Sequence, residues 1–431
     1  MFDRLFQPII INKTEIKNRI VYPSLALNYS DDRKLNSRYL NFYREKARGG
    51  AGIVTVGPVL FDGTGTGVIT PSIADESTIP SFKEVADIIK HEGARAWMQL
   101  YHAGAYAYKS MMNGRETMAP SSVYSKYSKE TPREMTIEDI HEVHEAFITG
   151  ALRARDAGFD GVQLLGSAGY LITQFLSPLK NLRTDEYGGS FENRARFPRE
   201  LIEKMRKRLG PDFPITIRMA GNDFVPGSNT SREVPLIAKV YEDAGINAIS
   251  VTGGWHESHV PQLAMELPRG GFAYLARAVK SAVTIPVIAS NRIADPYLAE
   301  QIIKDGDADM VNLGRVLIAD PFWPEKVQKG LAEEIRPCVA CSQGCTDEFF
   351  SGRSVICLAN ARAGFEGERN IPVAKTPKKI MVIGAGPAGL EAAYRAAKAG
   401  HMVELYEKRD DIGGQLWIAG TPPHKQELWE F

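Results

Sequence analysis

The sequence predicts an α/β protein: a (β/α)8 TIM barrel, then a cysteine-bearing segment, then the start of a Rossmann-like nucleotide-binding unit. Three observations carry this. Eight short apolar runs alternate with helix-period segments through residues 1–330. All four cysteines lie between positions 338 and 357. A Gly-x-Gly-x-x-Gly turn follows an apolar run at residue 384.

The 431 residues carry 52 Lys+Arg and 52 Asp+Glu, a formal net charge of 0, with 44% hydrophobic and 24% charged residues. Such a chain has enough apolar surface to fold, which excludes disorder. Zero net charge provides no field to gather nucleic acid or an anionic membrane. No window reaches the roughly 20 apolar residues of a spanning helix. The N-terminus, charged throughout, lacks a signal-peptide core, so a cytoplasmic enzyme is expected.

The barrel strands are predicted at 19–26, 51–56, 95–101, 161–165, 215–219, 248–252, 285–289 and 310–313. Helices are predicted from near Pro80, Phe191, Ser231, Gly271 and Pro296, and most clearly over 138–157, opened by a capping box at Thr136–Asp139. Alternation of this kind implies parallel pairing through helical crossovers, and eight repeats favour closure. The active site is then expected at the C-terminal strand ends. Those ends read Pro23-Ser24, Gly57-Pro58, Gln99 to His102, Gly166 to Tyr170, Arg218, Gly253-Gly254-Trp255-His256, Asn291-Arg292 and Gly314-Arg315. Arginines after the seventh and eighth strands suit a phosphate site. His141 and His144, on the long helix, are expected to be solvated.

The cysteines Cys338, Cys341, Cys345 and Cys357 are spaced C-x2-C-x3-C-x11-C. Four clustered thiols in a chain of this kind point to a metal site rather than to disulfides. The spacing leaves zinc and iron–sulfur open. It favours iron–sulfur, because structural zinc usually pairs two CxxC elements and the second is missing.

The third segment starts near residue 376. A strand at 380–383 leads into Gly384, Gly386 and Gly389, a helix over 390–399, a strand at 402–406 and the acid Glu407. This is a dinucleotide fingerprint in its required setting. The glycines permit a tight turn against a pyrophosphate at a helix N-terminus, and the acid suits a ribose hydroxyl. One βαβ unit is fewer than such a domain needs, so the sequence is expected to be incomplete there.

Specific motifs then resemble one group of the Old Yellow Enzyme family. They are GSAGYLITQFLSP at 166–178, DEYGGSFENRARF at 185–197, GGWHE at 253–257, PRGGF at 268–272, SNRIADP at 290–296 and GDADMVNLGR at 306–315. CVACSQGC at 338–345, CLANARAG at 357–364 and VIGAGPAGLEAA at 382–393 continue the match. That group of NADH:flavin oxidoreductases includes 2,4-dienoyl-CoA reductase, 2-enoate reductases and trimethylamine dehydrogenase, and the bacterial dienoyl-CoA reductase pattern is the most similar. The resemblance implies FMN in the barrel mouth at Pro23, Ser24, Gly57, Gln99, Arg218, Arg292, Gly314 and Arg315. It implies a [4Fe–4S] cluster on the four cysteines. It also implies FAD at Gly384, Gly386, Gly389, Glu407 and Gln415, an incomplete site, with NAD(P)H as reductant.

The implied reaction is reduction of the C=C bond of an unsaturated acyl-CoA or 2-enoate. Arg218 and Gln99 would meet the pyrimidine edge of the flavin, and Arg292 and Arg315 its phosphate. Tyr170 would donate the proton and His256 would assist. Two departures stand out. The His-His or His-Asn pair of simple Old Yellow Enzymes is replaced by Gly166 and Gly169. Ala168 stands where the dienoyl-CoA reductase pattern has an acid, which suggests a roomier pocket. Two alternatives stay open: an amine dehydrogenase or demethylase of the trimethylamine dehydrogenase type, which the lack of any cysteine before 338 disfavours for that member, and a fragment keeping only the FMN barrel. His102 has no role derivable from sequence, and oligomeric state is left open.

Overall fold

The computed structural model describes residues 2–430; Met1 and Phe431, the outer ends of the first and last predicted segments, lie outside the described residues. All eight predicted strands form. They are β1 (Ile20–Tyr22), β2 (Ile53–Val59), β3 (Arg95–Leu100), β4 (Gly161–Gly166), β5 (Ile215–Ala220), β6 (Ala248–Thr252), β7 (Val287–Ala289) and β8 (Met310–Asn312). Each pairs in parallel with the next, and β8 returns to β1, closing the barrel. Prolines trim the predicted runs: Pro23 has no N–H to extend β1, and β7 starts only after Pro286.

The helices wrap this sheet: α1 (Ser37–Arg48), α2 (Ile79–His91), α3 (Ile137–Asp156), α4 (Arg196–Leu209), α5 (Val234–Ala244), α6 (Ala273–Lys280) and α7 (Pro296–Lys304). The capping box holds: the Thr136 hydroxyl accepts from the Asp139 N–H and the Asp139 carboxylate from the Thr136 N–H. The predicted elements do not include α1. Its core face is aromatic (Tyr39, Phe42, Tyr43) within an otherwise polar run, and the Asn36 side chain caps it by accepting from Arg38 and Tyr39. Nor do they include the N-terminal hairpin Ile9–Ile11/Thr14–Ile16. Its Ile11 and Ile16 pack with Val21, Ile53, Trp97, Ala248, Ile288 and Met310, plugging the N-terminal end of the barrel. Gly161 is required there, since a Cβ would lie 1.4 Å from the Trp97 Nε1.

One expectation fails. His144 is fully buried, not solvated. Its ring packs on Phe197 at 4.6 Å, faces the Phe197 carbonyl at 3.1 Å and meets Lys204 Nζ at 3.2 Å. His141 is exposed as expected.

The cysteine segment folds back on α1. Lys46 and Glu366 form an ion pair at 3.2 Å with side chains 0% and 2% exposed. Arg38 donates to the Gly364 carbonyl (2.6 Å) and Ser354 (2.8 Å), and Arg362 pairs with Glu45 at 2.5 Å. These ties seat the segment beside the barrel's C-terminal mouth. Beyond it, β9 (Lys379–Ile383), α8 (Pro387–Lys398) and β10 (Met402–Tyr406) make one parallel βαβ unit. Among the described residues no helix is long and apolar enough to cross a membrane.

Candidate active site

The strand ends converge on a cleft of about 540 Å3 at the C-terminal mouth. Ser24 follows β1, Pro58 lies in β2 and Gln99 in β3; Tyr170 follows β4, Arg218 lies in β5, His256 follows β6 and Arg315 follows β8. Gln99 is buried and donates to Gln163 Oε1 at 2.7 Å, which fixes its amide. Gly57, at φ 131°, could not take a Cβ without meeting the Gln99 carbonyl at 3.0 Å.

Arg218 decides the electrostatics of the floor. One terminal nitrogen donates to the Ser24 carbonyl at 3.2 Å. Its Nε and the Ser24 hydroxyl are buried without a partner, and none of the described carboxylates forms a salt bridge with it. Burial lowers its pKa to about 10, so the guanidinium is still charged at pH 7. A half-buried cation with an inaccessible, unpartnered Nε is costly unless an anionic or strongly accepting group joins it. The donor set fits the pyrimidine edge of a flavin.

A smaller adjoining pocket is lined by Pro23, Asn291, Arg292, Gly314 and Arg315. Arg292 borders it but is already committed. Its Nε donates to the Leu267 carbonyl at 2.9 Å, and both terminal nitrogens donate to Glu427. Arg315 is freer, with one long bond to Ser342 Oγ at 3.4 Å.

Tyr170 and His256 meet at the cleft wall, the phenol oxygen 2.9 Å from His256 Nε2. The loops that carry them are stitched together: Ala168 bridges Trp255, and the His256 N–H donates to the Ala168 carbonyl at 3.2 Å. Ala168 holds a left-handed φ of 60°, a strained conformation for a residue with a Cβ. Gly169 (φ 90°) must be glycine, since a Cβ would sit 2.5 Å from the Tyr106 hydroxyl. Desolvation holds the His256 imidazole down to about 4, so it is neutral at pH 7, although its outer edge opens on the cleft. Burial, and behind it the neighbouring tyrosines, raises the Tyr170 phenol well above its ordinary range. The pair is thus two neutral groups joined by one hydrogen bond, whose direction is set by the imidazole tautomer.

All four cysteines line one small cavity, together with Arg315 and Gly344. Cys345, Ser342 and Arg315 also line the large cleft, so the two sites share a wall. Burial pushes the thiols of Cys338 and Cys341 up, and that of Cys357 to about 12. Among the described residues no group of three or more His, Cys, Asp or Glu is arranged around a single metal ion. At the fingerprint, Gly389 lies so close to the Gly384 carbonyl that a Cβ would meet it at 1.8 Å. Glu407 accepts from the Ala385 N–H at 2.8 Å, and Gly413, two residues before Gln415, donates to the Ala385 carbonyl at 2.8 Å.

Several features escape sequence reasoning. Phe349 and Phe350, four and five residues past Cys345, reach into the cleft, as do residues 258–264 after β6. Tyr101, Tyr106 and Tyr127 pack around the Tyr170–His256 pair. His102 lies outside the cleft, buried in a loop, its Nδ1 accepting from the Gly104 N–H at 3.1 Å and its Nε2 facing Thr64 at 3.2 Å.

Residues 4–334 match the NADH:flavin oxidoreductase / NADH oxidase family. The chain belongs to that family. The flavin of that family is FMN. Residues 382–417 match an NAD(P)-binding Rossmann-like domain. The chain is 46% identical to a metal reductase of Desulforamulus reducens over 424 residues, 98% of this chain and 63% of the relative. It is 41% identical to an NADH oxidase of Thermoanaerobacter brockii, over 100% of this chain and 67% of the relative. Among solved structures, a 2-naphthoyl-CoA reductase in complex with 2-naphthoyl-CoA superposes with a TM-score of 0.96 at 36% identity, covering 100% of this chain and 68% of that one. The chain thus spans about two thirds of the length of these relatives.

Proposed function

We propose that the barrel reduces the C=C bond of a conjugated acyl compound, an enoyl or dienoyl thioester of coenzyme A or a free 2-enoate, in a flavoenzyme fed by NAD(P)H. The observation that carries this is the Tyr170–His256 pair, hydrogen-bonded at 2.9 Å on the wall of the cleft that Arg218 floors. Ser24, Gln99, Arg218, Gly314 and Arg315 would hold FMN, which would supply the hydride. Addition of hydride to the β-carbon leaves enolate character at the carbonyl and a carbon that must be protonated. Tyr170 delivers that proton, and general acid catalysis of this kind contributes roughly 10²–10⁴-fold. His256, neutral at pH 7, orients the phenol, and in the tautomer with its proton on Nε2 it donates to the phenol oxygen and leaves the hydroxyl proton free for the substrate. Ala168 leaves room beside the pair. Likeness to the 2-naphthoyl-CoA reductase supports a flat conjugated acyl group.

The cysteine cavity suits a [4Fe–4S] cluster, in which each thiolate takes its own iron. Such a cluster would pass electrons singly between the nucleotide-binding unit, which takes FAD, and the flavin. Iron and acid-labile sulfide should rise together in the reconstituted protein and fall together in Cys345→Ser. Zinc without sulfide would refute the cluster.

A second reading rests on the metal reductase and NADH oxidase relatives. There the electrons leave to a small inorganic acceptor and no substrate carbon has to be protonated. Anaerobic stopped-flow absorbance separates the two. Reduced protein should be reoxidised rapidly by 2,4-decadienoyl-CoA. No reoxidation by dienoyl-CoA or free enoates, with rapid reoxidation by ferric citrate, would replace the first reading by the second. Bleaching of oxidised flavin by methylated amines would favour a dehydrogenase instead.

A further inference from the structure

We infer that Tyr127 is a positioning residue: its ring clamps the His256 imidazole so that Nε2 faces the Tyr170 hydroxyl. The inference rests on the reading of Tyr170 as proton donor. The Tyr127 and His256 rings are stacked, with centroids 5.0 Å apart and planes 25° from parallel. The other rings around His256 meet it at steep angles: Tyr170 at 74° and Phe350 at 85°. Tyr106 backs the stack, 4.7 Å from Tyr127 and 6.0 Å from His256. A stacked face and two edges restrict the orientations open to the imidazole. Without the stack, rotation about the Cβ–Cγ bond would be limited only by edge contacts.

Tyr127 comes from far away in sequence, and the chain invests in holding it. It sits in the loop between Met118–Ala119 and Arg133–Glu134. Two buried serines fix that loop: Ser128 Oγ donates to the Ala105 carbonyl at 2.7 Å, and Ser125 Oγ accepts from the Ser128 N–H at 3.1 Å. Ser125 N–H also donates to the Glu130 carbonyl at 2.9 Å. Through Ala105 the loop is tied to the short turn that carries Tyr106, so one hydrogen bond links the supports of both rings that brace His256.

The stacked ring also covers one face of the imidazole, whose outer edge opens on the cleft. The ionisable groups around the imidazole are the phenols of Tyr170, Tyr106 and Tyr127. Beyond them lie Glu257, paired with Lys180 at 3.4 Å, and Arg218 on the far side of Tyr170. None of these is the cause of the lowered His256 value, which comes from desolvation. Removing the stacked ring should therefore let His256 titrate nearer its ordinary value.

The test uses the full flavin-loaded chain labelled with [15N]histidine, with the His256 signal assigned through His256→Asn. Tyr127→Leu should raise the His256 titration midpoint by at least one pH unit. It should also slow reoxidation of the reduced flavin by 2,4-decadienoyl-CoA by about 10–100-fold, the scale of a lost alignment. Tyr127→Phe, which keeps the ring, should match wild type in both. Where Tyr127→Leu does not fold, Tyr127→Met carries the same test. An unmoved midpoint in the folded Leu or Met variant would overturn the inference, and so would a Phe variant as damaged as Leu. A shifted midpoint in a protein whose wild type is not reoxidised by any alkene would uphold the clamp and defeat the substrate reading.

Discussion

Lys46→Met is the most informative perturbation of the architecture. Lys46 and Glu366 are 320 residues apart and pair at 3.2 Å with side chains 0% and 2% exposed. The ammonium also sits 3.7 Å over the Phe42 ring, and Glu366 Oε2 has no partner at all. Methionine fills the aliphatic space but strands a buried carboxylate. Breaking one side of such a pair costs about 3–5 kcal/mol. The entropy of unfolding, about 2 cal/mol/K per residue, gives roughly 0.9 kcal/mol/K for a chain of 431 residues. The melting temperature should then fall by about 3–6 °C. Lys46→Met/Glu366→Leu, which removes both charges, should recover most of the loss. The assay is thermal unfolding of the full chain by circular dichroism at pH 7. A single variant within about 1 °C of wild type, or a double variant no better than the single, would refute the reasoning.

His144 should make stability fall in acid. Its folded pKa, about 3, lies below the unfolded value of 6.5 because burial disfavours the imidazolium. Its contribution is therefore fully present above pH 6.5 and is lost as pH falls toward 3, on the order of a few kcal/mol in all. His144→Phe should flatten urea-measured stability between pH 6 and 4, and an unchanged slope would contradict this. Arg218→Met removes the half-buried cation on the floor of the cleft, the proposed flavin site. FMN should dissociate about 10–100-fold more readily, the range of one charge-assisted hydrogen bond, as read from flavin fluorescence on dilution. Retention equal to wild type would show that Arg218 does not hold the flavin.

The barrel was legible because its signal is local. Eight apolar runs and the polar residues at their ends needed no knowledge of packing, and each of the eight ends puts at least one residue on the cleft or its neighbouring pocket, although His102 turns away and Arg292 is paired with Glu427. The burial of His144 was also written in the sequence. It falls on the stripe Ile140, His144, Phe147, Ala151 and Ala154, and only its polarity argued for solvent. The rest depends on contacts between distant positions. Arg292 looks like a phosphate ligand until Glu427, 135 residues on, takes its guanidinium. Tyr127 carries no motif, and only the closed fold sets its ring on His256. The aromatic face of α1 was hidden by the charged residues that interrupt it, which are themselves the ties to the cysteine segment.

The most direct test of the account is Tyr170→Phe in anaerobic stopped-flow. The variant keeps the ring and removes only the proton that the mechanism uses. Reoxidation of its reduced flavin by 2,4-decadienoyl-CoA should slow by about 10²–10⁴-fold, while reoxidation by ferric citrate stays at the wild-type rate. Equal alkene rates in the two proteins would contradict the assignment of Tyr170 as the proton donor.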